Sequence, residues 1–189
     1  MFQIRIHGRA GQGAKTIAQL LAEAGLRSGK FVQAFPSFGP VRIGAPMNAF
    51  VRLDDKPINL YSEIREPDAV LVIDPLLIDT EKIEEGLKKN CLIIINSSRP
   101  AEILKKKLIE KGLNPGVKVV CLPASEIALK VIKKDVPNTV LLGALVKLSG
   151  IVKLNDLIKV AEDNFAKKFD SELVQANIQL TKMGYNLIT

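Results

Sequence analysis

The sequence predicts an α/β fold: an open, mostly parallel sheet flanked by helices, with an inserted β-hairpin and a helical C-terminus. Short apolar or alternating segments are separated by stretches of helical periodicity. A glycine-rich turn joins the first strand to the first helix, and one proline-rich loop interrupts the alternation. Because 47% of the 189 residues are hydrophobic, we expect one domain over residues 1–189, with a helical extension from about residue 151.

The first 35 residues predict a β–loop–α–β unit. Phe2 to His7 alternates apolar and polar side chains, as a half-buried strand does. From Ala14 the apolar residues follow helical spacing, Gly29 ends the helix, and residues 31–35 predict the second strand. This order of elements implies parallel strands joined by a right-handed crossover.

The rest of the chain continues the alternation after one irregular loop. Residues 36–46 contain three prolines and two glycines, which predict a loop. Residues 47–53 alternate again, and residues 58–60 predict a short returning strand of the hairpin. The further predictions are strands at 69–73, 91–95 and 117–122, helices at 79–89 and 101–111, and helices after Pro123 with breaks near Pro137 and Gly150.

The charge is basic, with a formal net charge of +7. The lysines are spread along the predicted helices, and only 5% of the residues are aromatic. Nucleic-acid-binding surfaces concentrate basic residues and interleave aromatic ones. We therefore expect a solvated lysine-rich surface and no nucleic-acid partner.

The sequence also predicts the compartment. No apolar run approaches the roughly 20 residues of a membrane span, and the N-terminus lacks the features of a signal peptide. We expect a cytoplasmic protein without a membrane partner. Cys91 and Cys121 flank or lie within apolar runs and form no C-x-x-C pair, so buried reduced thiols are expected, with no zinc or iron–sulfur site on this chain alone.

The glycine loop at residues 8–13 is open to three interpretations. A dinucleotide site requires G-x-G-x-x-G and an acidic residue about 20 positions later, whereas this loop has the reversed order G-x-x-G-x-G and no acid in the second strand. A P-loop is closer, because Gly8 and Gly13 have its spacing and Asp74 could imitate its acidic magnesium partner. However, Ala14 separates Gly13 from Lys15, and one inserted residue turns a helical side chain by roughly 100°. The third interpretation is a tight strand-to-helix turn without a ligand.

Several separated motifs resemble gamma subunits of 2-oxoacid:ferredoxin oxidoreductases, in particular those of the pyruvate type. The first is Gly-Arg-Ala-Gly-Gln-Gly-Ala-Lys-Thr at 8–16, with Leu-Leu-Ala-Glu-Ala at 20–24. The second is Gln-Ala-Phe-Pro-Ser-Phe-Gly-Pro at 33–40. Further matches are residues 42, 44–46, 55–58, 66–68, 74–75, 138–139 and 142–144. The family usually has a glycine where Ala10 stands, and a glutamate and an arginine where Val41 and Ile43 stand.

The resemblance implies a complex of alpha, beta, gamma and delta subunits. Such complexes oxidatively decarboxylate a 2-oxoacid with coenzyme A (CoA) to an acyl-CoA, carbon dioxide and reduced ferredoxin. They use thiamine diphosphate, magnesium and iron–sulfur clusters, chiefly on the other subunits. We therefore expect this chain to hold none of these cofactors alone. A stand-alone P-loop-like NTPase is the alternative.

The inventory of reactive groups agrees with a non-catalytic subunit. His7 is the one histidine, and no carboxylate pair or nucleophile–base spacing is present, so we predict no catalytic residue. Both early loops follow strands of a parallel sheet and should meet at its carboxyl edge, where ligands of such folds bind. We expect them to contact CoA or other subunits through Gly8, Arg9, Gly11, Gln12, Gly13, Lys15, Phe38, Gly39, Pro40, Arg42 and Gly44.

Overall fold

The computed structural model describes residues 1–37 and 42–188, and in these ranges the chain forms six strands and seven helices. The strands are β1 (Phe2–Arg9), β2 (Phe31–Pro36), β3 (Pro46–Asp54), β4 (Ala69–Val72), β5 (Leu92–Asn96) and β6 (Lys118–Leu122). The helices are α1 (Ala14–Arg27), α2 (Leu77–Thr80), α3 (Ala101–Glu110), α4 (Ala124–Ile132), α5 (Asn138–Ser149), α6 (Leu154–Phe165) and α7 (Ser171–Asn186).

The strands form one sheet in the order β2-β3-β1-β4-β5-β6. Strands β1, β4, β5 and β6 are parallel, whereas β3 is antiparallel to both β1 and β2. Strand β2 therefore runs in the same direction as β1. The predicted mostly parallel α/β sheet is confirmed, and the carboxyl ends of five strands lie at one edge.

The inserted hairpin is formed by different strands from those predicted. Strand β3 pairs with β2 on one side and β1 on the other, so neither of its edges is free. Residues 58–60, predicted as the returning strand, lie outside any strand. They run beside the sheet, where the side chain of Gln33 donates to the Leu60 carbonyl and the Arg52 guanidinium donates to the Ser62 carbonyl.

The sheet is covered on both faces because its strands alternate in side-chain direction. On β1, Ile4 and Ile6 are fully buried against α1, in a core that α4, α5, α6 and α7 share. The opposite faces of β4 and β5 pack under α2 and α3 in a second core, which includes Val72, Ile95 and Leu108. The predicted continuous apolar strand at 69–73 is thus buried on both sides.

The helix predicted over residues 79–89 ends much earlier, since α2 stops at Thr80. Two features divert the chain. The Arg5 guanidinium donates to the carbonyls of Ile83 and Glu85. These carbonyls are therefore not available for the backbone hydrogen bonds of a continuing helix. Gly86 has a φ of +72° and lies against the Arg65 carbonyl, where a β-carbon would not fit. A left-handed backbone at this position is incompatible with a continuing α-helix.

The C-terminal helices belong to the first core. Leu157 of α6 and Ile178 of α7 are buried in the same cluster as α1 and α5. The predicted breaks occur where Pro137 precedes α5 and Gly150 follows it. A third break, at residues 166–170, was not predicted; there Asp170 caps α7 by accepting from the Leu173 amide. In the described ranges, no helix has the length and apolar character needed to cross a membrane.

Candidate functional site at the carboxyl edge of the sheet

The glycine loop turns the chain from the end of β1 into α1. Gly11 and Gly13 have φ angles of +101° and +89°, which favour glycine because a β-carbon would crowd the backbone there. The loop is closed by two hydrogen bonds: the Gln12 amide donates to the Arg9 carbonyl, and the Arg9 amide donates to the Gln12 side chain at 2.7 Å. No side chain of residues 1–37 or 42–188 caps the N-terminus of α1, so its first-turn N–H groups can receive an acceptor from outside the helix.

The end of the second loop is bound directly to the glycine loop. The Ala10 amide donates to the Ala45 carbonyl at 2.9 Å, and the Gly44 amide donates to the Ala10 carbonyl at 3.1 Å. Residues 42–45 form a turn, in which the Ala45 amide donates to the Arg42 carbonyl and Gly44 has a φ of +82°. The structure thus places the described end of the second loop beside the glycine loop at the carboxyl edge.

Arg9 is not a free cation. Its Nε lies 2.6 Å from Oδ2 of Asp74, at the end of β4, and its guanidinium also donates to the Gly44 carbonyl. The other oxygen of Asp74 accepts from the Leu76 amide at 2.9 Å. Arg9 and Asp74 therefore tie both loops to β4.

Lys15 and Arg42 are the exposed cations of the predicted set. Neither forms an ion pair within the described part of the chain. Lys15 borders a groove of about 340 Å³ between α1 and β2, next to Phe35 and Pro36. Lys15 is thus separate from Asp74, and Asp74 is already paired with Arg9. The P-loop interpretation, which needs a lysine and a free acid around one phosphate, is therefore not supported.

Asn138, the first residue of α5, supports the glycine loop from below. A β-carbon on Gly13 would lie 2.5 Å from the Asn138 amide nitrogen. The side-chain Oδ1 of Asn138 accepts from the Thr139 backbone amide at 3.0 Å, which fixes the orientation of the side chain. Glycine at position 13 is thus required both by its φ angle and by this contact.

A cleft of about 480 Å³ opens at the carboxyl ends of β4, β5 and β6. Asn96 lies at its floor and links the ends of three strands: it donates to the Ile73 carbonyl and to the Ser125 hydroxyl, and it accepts from the Ser125 amide. Gln12 of the glycine loop borders the same cleft. Open α/β sheets bind ligands in this location.

The charges around this cleft are mixed. Four carboxylates line it, from Asp74, Asp79, Glu126 and Asp135, together with Arg99 and Lys107. Arg9 neutralises the first of these acids and Lys107 pairs with the second. The cleft offers hydrogen bonds from serine and asparagine side chains, and none of its groups forms a nucleophile–base pair.

The histidine and the two cysteines do not line the cleft. His7 is 3% exposed, and burial, together with the Arg5 charge, lowers its pKa to about 3, so it is neutral at pH 7. Cys91 is buried as predicted, whereas Cys121 is only half-buried. Burial raises the pKa of the Cys91 thiol to about 12 and that of Cys121 to about 11. Both thiols are therefore protonated at pH 7.

The predicted site residues occupy four kinds of position. Gly8 is buried at the end of β1, Gly11 is exposed, and Gln12 joins the loop to the cleft. Phe38, Gly39 and Pro40 lie outside the described residues. Among the described residues, no three side chains of His, Cys, Asp or Glu converge as metal ligands.

Sequence reasoning missed two residues that shape this edge. Asn96 follows a buried strand, and a polar residue at the carboxyl end of a parallel strand is the signal that could have indicated it. Asn138 was noticed only as part of a motif. Its contact with Gly13 joins positions 125 residues apart, and no local pattern reports such a contact.

The comparisons with known proteins agree with the motifs. A family model described as pyruvate ferredoxin/flavodoxin oxidoreductase matches residues 3–187. Pyruvate synthase subunit PorC of Thermotoga maritima is 46% identical over 184 residues, which cover 97% of this chain and 93% of that protein. The pyruvate/ketoisovalerate oxidoreductases common subunit gamma of Thermococcus litoralis is 43% identical over 93% of both chains.

Solved structures show the same fold. The crystal structure of the Thermotoga maritima pyruvate oxidoreductase subunit PORC matches with a TM-score of 0.85 and 43% identity, covering 98% of this chain and 95% of that one. A 2-oxoglutarate:ferredoxin oxidoreductase from Magnetococcus marinus matches with a TM-score of 0.77 at 23% identity, and there the matched part is 31% of the longer chain. The resemblance to gamma subunits is confirmed, and this chain belongs to the pyruvate ferredoxin/flavodoxin oxidoreductase family.

Proposed function

We propose that this chain is the gamma subunit of a pyruvate:ferredoxin oxidoreductase assembled with alpha, beta and delta subunits in the cytoplasm. The observation that carries this proposal is similarity to PorC along 97% of the chain. The absence of a nucleophile–base pair from the described cleft is compatible with a subunit that works beside an active site built elsewhere. In such a complex the other subunits would hold thiamine diphosphate with magnesium, which would supply the carbanion chemistry, and iron–sulfur clusters, which would supply electron transfer to ferredoxin.

The carboxyl edge is the part of this chain that we propose faces the other subunits and CoA. Backbone hydrogen bonds join the glycine loop to residues 44–45, and the exposed cations Lys15 and Arg42 lie in the same two segments. CoA carries phosphate groups, which uncapped helix N–H groups and exposed cations attract. In this role Gly11 and Gly13 permit close backbone approach, and Arg9 holds the loops in place.

The first experiment purifies the native complex through a tag on this chain. We expect thiamine-binding and iron–sulfur subunits to co-purify, and the complex to reduce ferredoxin with pyruvate in a CoA-dependent reaction. A lone chain that hydrolyses ATP with magnesium would overturn the proposal and restore the NTPase alternative.

The second experiment tests the edge itself. The assembled complex carrying Lys15→Met and Arg42→Met should keep its subunit composition while its KM for CoA rises several-fold. Lys106→Met on α3 is the control, since it removes an exposed positive charge far along the chain from either loop. An unchanged KM in the double variant would refute a role in CoA binding, and loss of assembly would instead assign the edge to a subunit contact.

A further inference from the structure

A second pocket lies behind the glycine loop, apart from the cleft at the sheet edge. It has a volume of about 290 Å³ and is enclosed by α1, the α4–α5 connection, the end of α6 and the start of α7. Thr16 and Asn138 border it on the side of the glycine loop. Its other lining residues are Ile132, Lys134, Val136, Phe165, Lys168, Phe169, Leu173 and Asn177.

The charge of this pocket is of one sign. Lys134 and Lys168 are exposed at its margin, and neither forms an ion pair in residues 1–37 and 42–188. No acidic side chain lines it in the same ranges, in contrast to the four carboxylates of the larger cleft. An anion is therefore attracted to this pocket more strongly than to the cleft.

The floor of the pocket contains an amide with spare hydrogen-bonding capacity. Asn177 is 7% exposed, and its Nδ2 donates to the Leu173 carbonyl at 2.8 Å. Its Oδ1 accepts no hydrogen bond from the described residues, so it is available to a ligand. The Nδ2 of Asn138 likewise donates to no acceptor among the described residues, and the Oδ1 of the same side chain accepts from the Thr139 amide. The pocket thus offers one amide acceptor and one amide donor.

The walls are apolar and include an aromatic pair. The rings of Phe165 and Phe169 lie with centroids 6.0 Å apart at an interplanar angle of 45°. Phe165 is buried, whereas Phe169 is 43% exposed. Ile132 and Val136 complete the apolar lining. A flat, partly polar ring can stack on such a wall while its edge meets the amides.

We propose that this pocket binds a purine nucleoside phosphate, with the base between the aromatic wall and the two asparagines and the phosphate at Lys134 and Lys168. Asparagine amides pair with adenine, which offers a donor and an acceptor on one edge. The volume lies near the lower bound of about 300 Å³ for ligand pockets, which suits a single nucleotide unit. The same chemistry occurs in a free nucleotide and in the adenosine end of CoA, and only the CoA case depends on the proposed function.

The test titrates adenosine 5′-monophosphate (AMP) into the full chain and into the assembled complex by calorimetry. Saturable binding is expected, and it should weaken at least 10-fold in the double variant Lys134→Met with Lys168→Met. Asn177→Leu should weaken it by a similar factor. Because Asn177 is buried, thermal unfolding is followed in parallel, and the exposed lysine variants test the proposal even where Asn177→Leu fails to fold. The matched control is Lys105→Met with Lys106→Met on α3, which removes the same charge without affecting binding.

Separate titrations distinguish the sources and the alternatives. Competition between CoA and AMP would assign the pocket to the adenosine end of CoA, whereas AMP binding without competition by CoA would assign it to a free nucleotide. Inorganic phosphate that binds as tightly as AMP would overturn the proposal, since it would show a non-specific cationic patch. The absence of saturable AMP binding, or binding unchanged in the lysine double variant, would overturn it as well. None of these failures affects the co-purification test of the proposed function.

Discussion

Asp74 at the end of β4 holds Arg9 at the end of β1, with Oδ2 of the acid 2.6 Å from Nε of the arginine. The arginine that the sequence offers as a ligand for anions is therefore already neutralised within the chain. Its remaining hydrogen bond goes to the Gly44 carbonyl, so one side chain joins the glycine loop, the second loop and β4. An anion at this edge would therefore interact with the exposed cations Lys15 and Arg42.

Removal of this pair should loosen the edge. Arg9→Met and Asp74→Asn are each expected to lower the free energy of unfolding by about 1–2 kcal/mol, because the side chains are only 30% and 12% exposed and their contact is a charge-assisted hydrogen bond. The double variant should lose less than the sum, and urea denaturation of all four proteins measures the coupling. Lys82→Met, at an ion pair with both partners mostly exposed, should change stability by less than about 0.5 kcal/mol. Additive losses for Arg9 and Asp74 would contradict the coupling.

The contact of α5 with α7 depends on two glycines. A β-carbon on Gly143 would collide with the Thr181 carbonyl, and one on Gly184 would collide with the Val140 carbonyl. Alanine gains about 1 kcal/mol of helix propensity over glycine, whereas overpacking against backbone costs about 1–3 kcal/mol or more. We expect Gly143→Ala and Gly184→Ala each to be destabilising by a net of up to about 2 kcal/mol in urea denaturation.

Gly25 in α1 provides a matched control for these variants. Its β-carbon would meet the ends of the Leu53 and Val32 side chains at 2.5 and 2.7 Å, and side chains can move where a backbone carbonyl cannot. Gly25→Ala should therefore cost less than either variant at the α5–α7 contact. Equal losses at all three positions would show that backbone contact is not the cause.

The sequence was sufficient to predict those elements whose signals are local. Residues 14–27 form a helix because their apolar spacing and the following Gly29 both favour it, and residues 69–72 form a buried strand because the run is continuously apolar. The predictions of a strand at 58–60 and of a helix at 79–89 were wrong because contacts with distant residues determine the structure of these segments. Strand β3 pairs with β2, and Arg5 binds the carbonyls of Ile83 and Glu85.

The candidate site was predicted as loops but not as contacts. Glycine and proline spacing located the loops, and parallel strands placed them at one edge. The ion pair of Arg9 with Asp74 joins residues 65 positions apart, and the basic pocket around Asn177 combines residues of five helices and connections. Contacts between residues so far apart in the chain depend on tertiary packing, and the periodicity of the sequence does not predict them.

The two thiols should differ in reactivity from ordinary surface cysteines. Burial, opposed by the Arg5 charge, raises the pKa of Cys91 to about 12, and burial followed by the Glu102 charge raises that of Cys121 to about 11. Because the thiolate is the nucleophile, both should alkylate slowly with iodoacetamide at pH 8 in the folded chain and rapidly in urea. Cys121 should react before Cys91, since it is only half-buried. Rapid labelling of Cys91 in the folded state would contradict its burial.

His7 should make the chain sensitive to acid. Both ring nitrogens are buried without a hydrogen-bond partner in the described ranges, and burial is the main cause of a folded pKa of about 3, with the Arg5 charge contributing. In the unfolded chain the pKa is near 6.5, so below that pH the unfolded state binds one more proton than the folded state. The full contribution to stability is therefore present above pH 6.5 and is lost as the pH falls toward 3.

The size of this loss follows from the two pKa values. Each pH unit between them changes the free energy of unfolding by about 1.4 kcal/mol, so acidification from pH 7 to pH 5 should cost about 2 kcal/mol through His7. His7→Leu removes the titrating group and keeps a buried side chain at this position. Urea denaturation at both pH values should show that the wild-type chain loses about 2 kcal/mol more than the variant does. Parallel losses in the two proteins would mean that His7 finds a proton-accepting partner or is hydrated in the folded chain, and that its burial does not control the acid response.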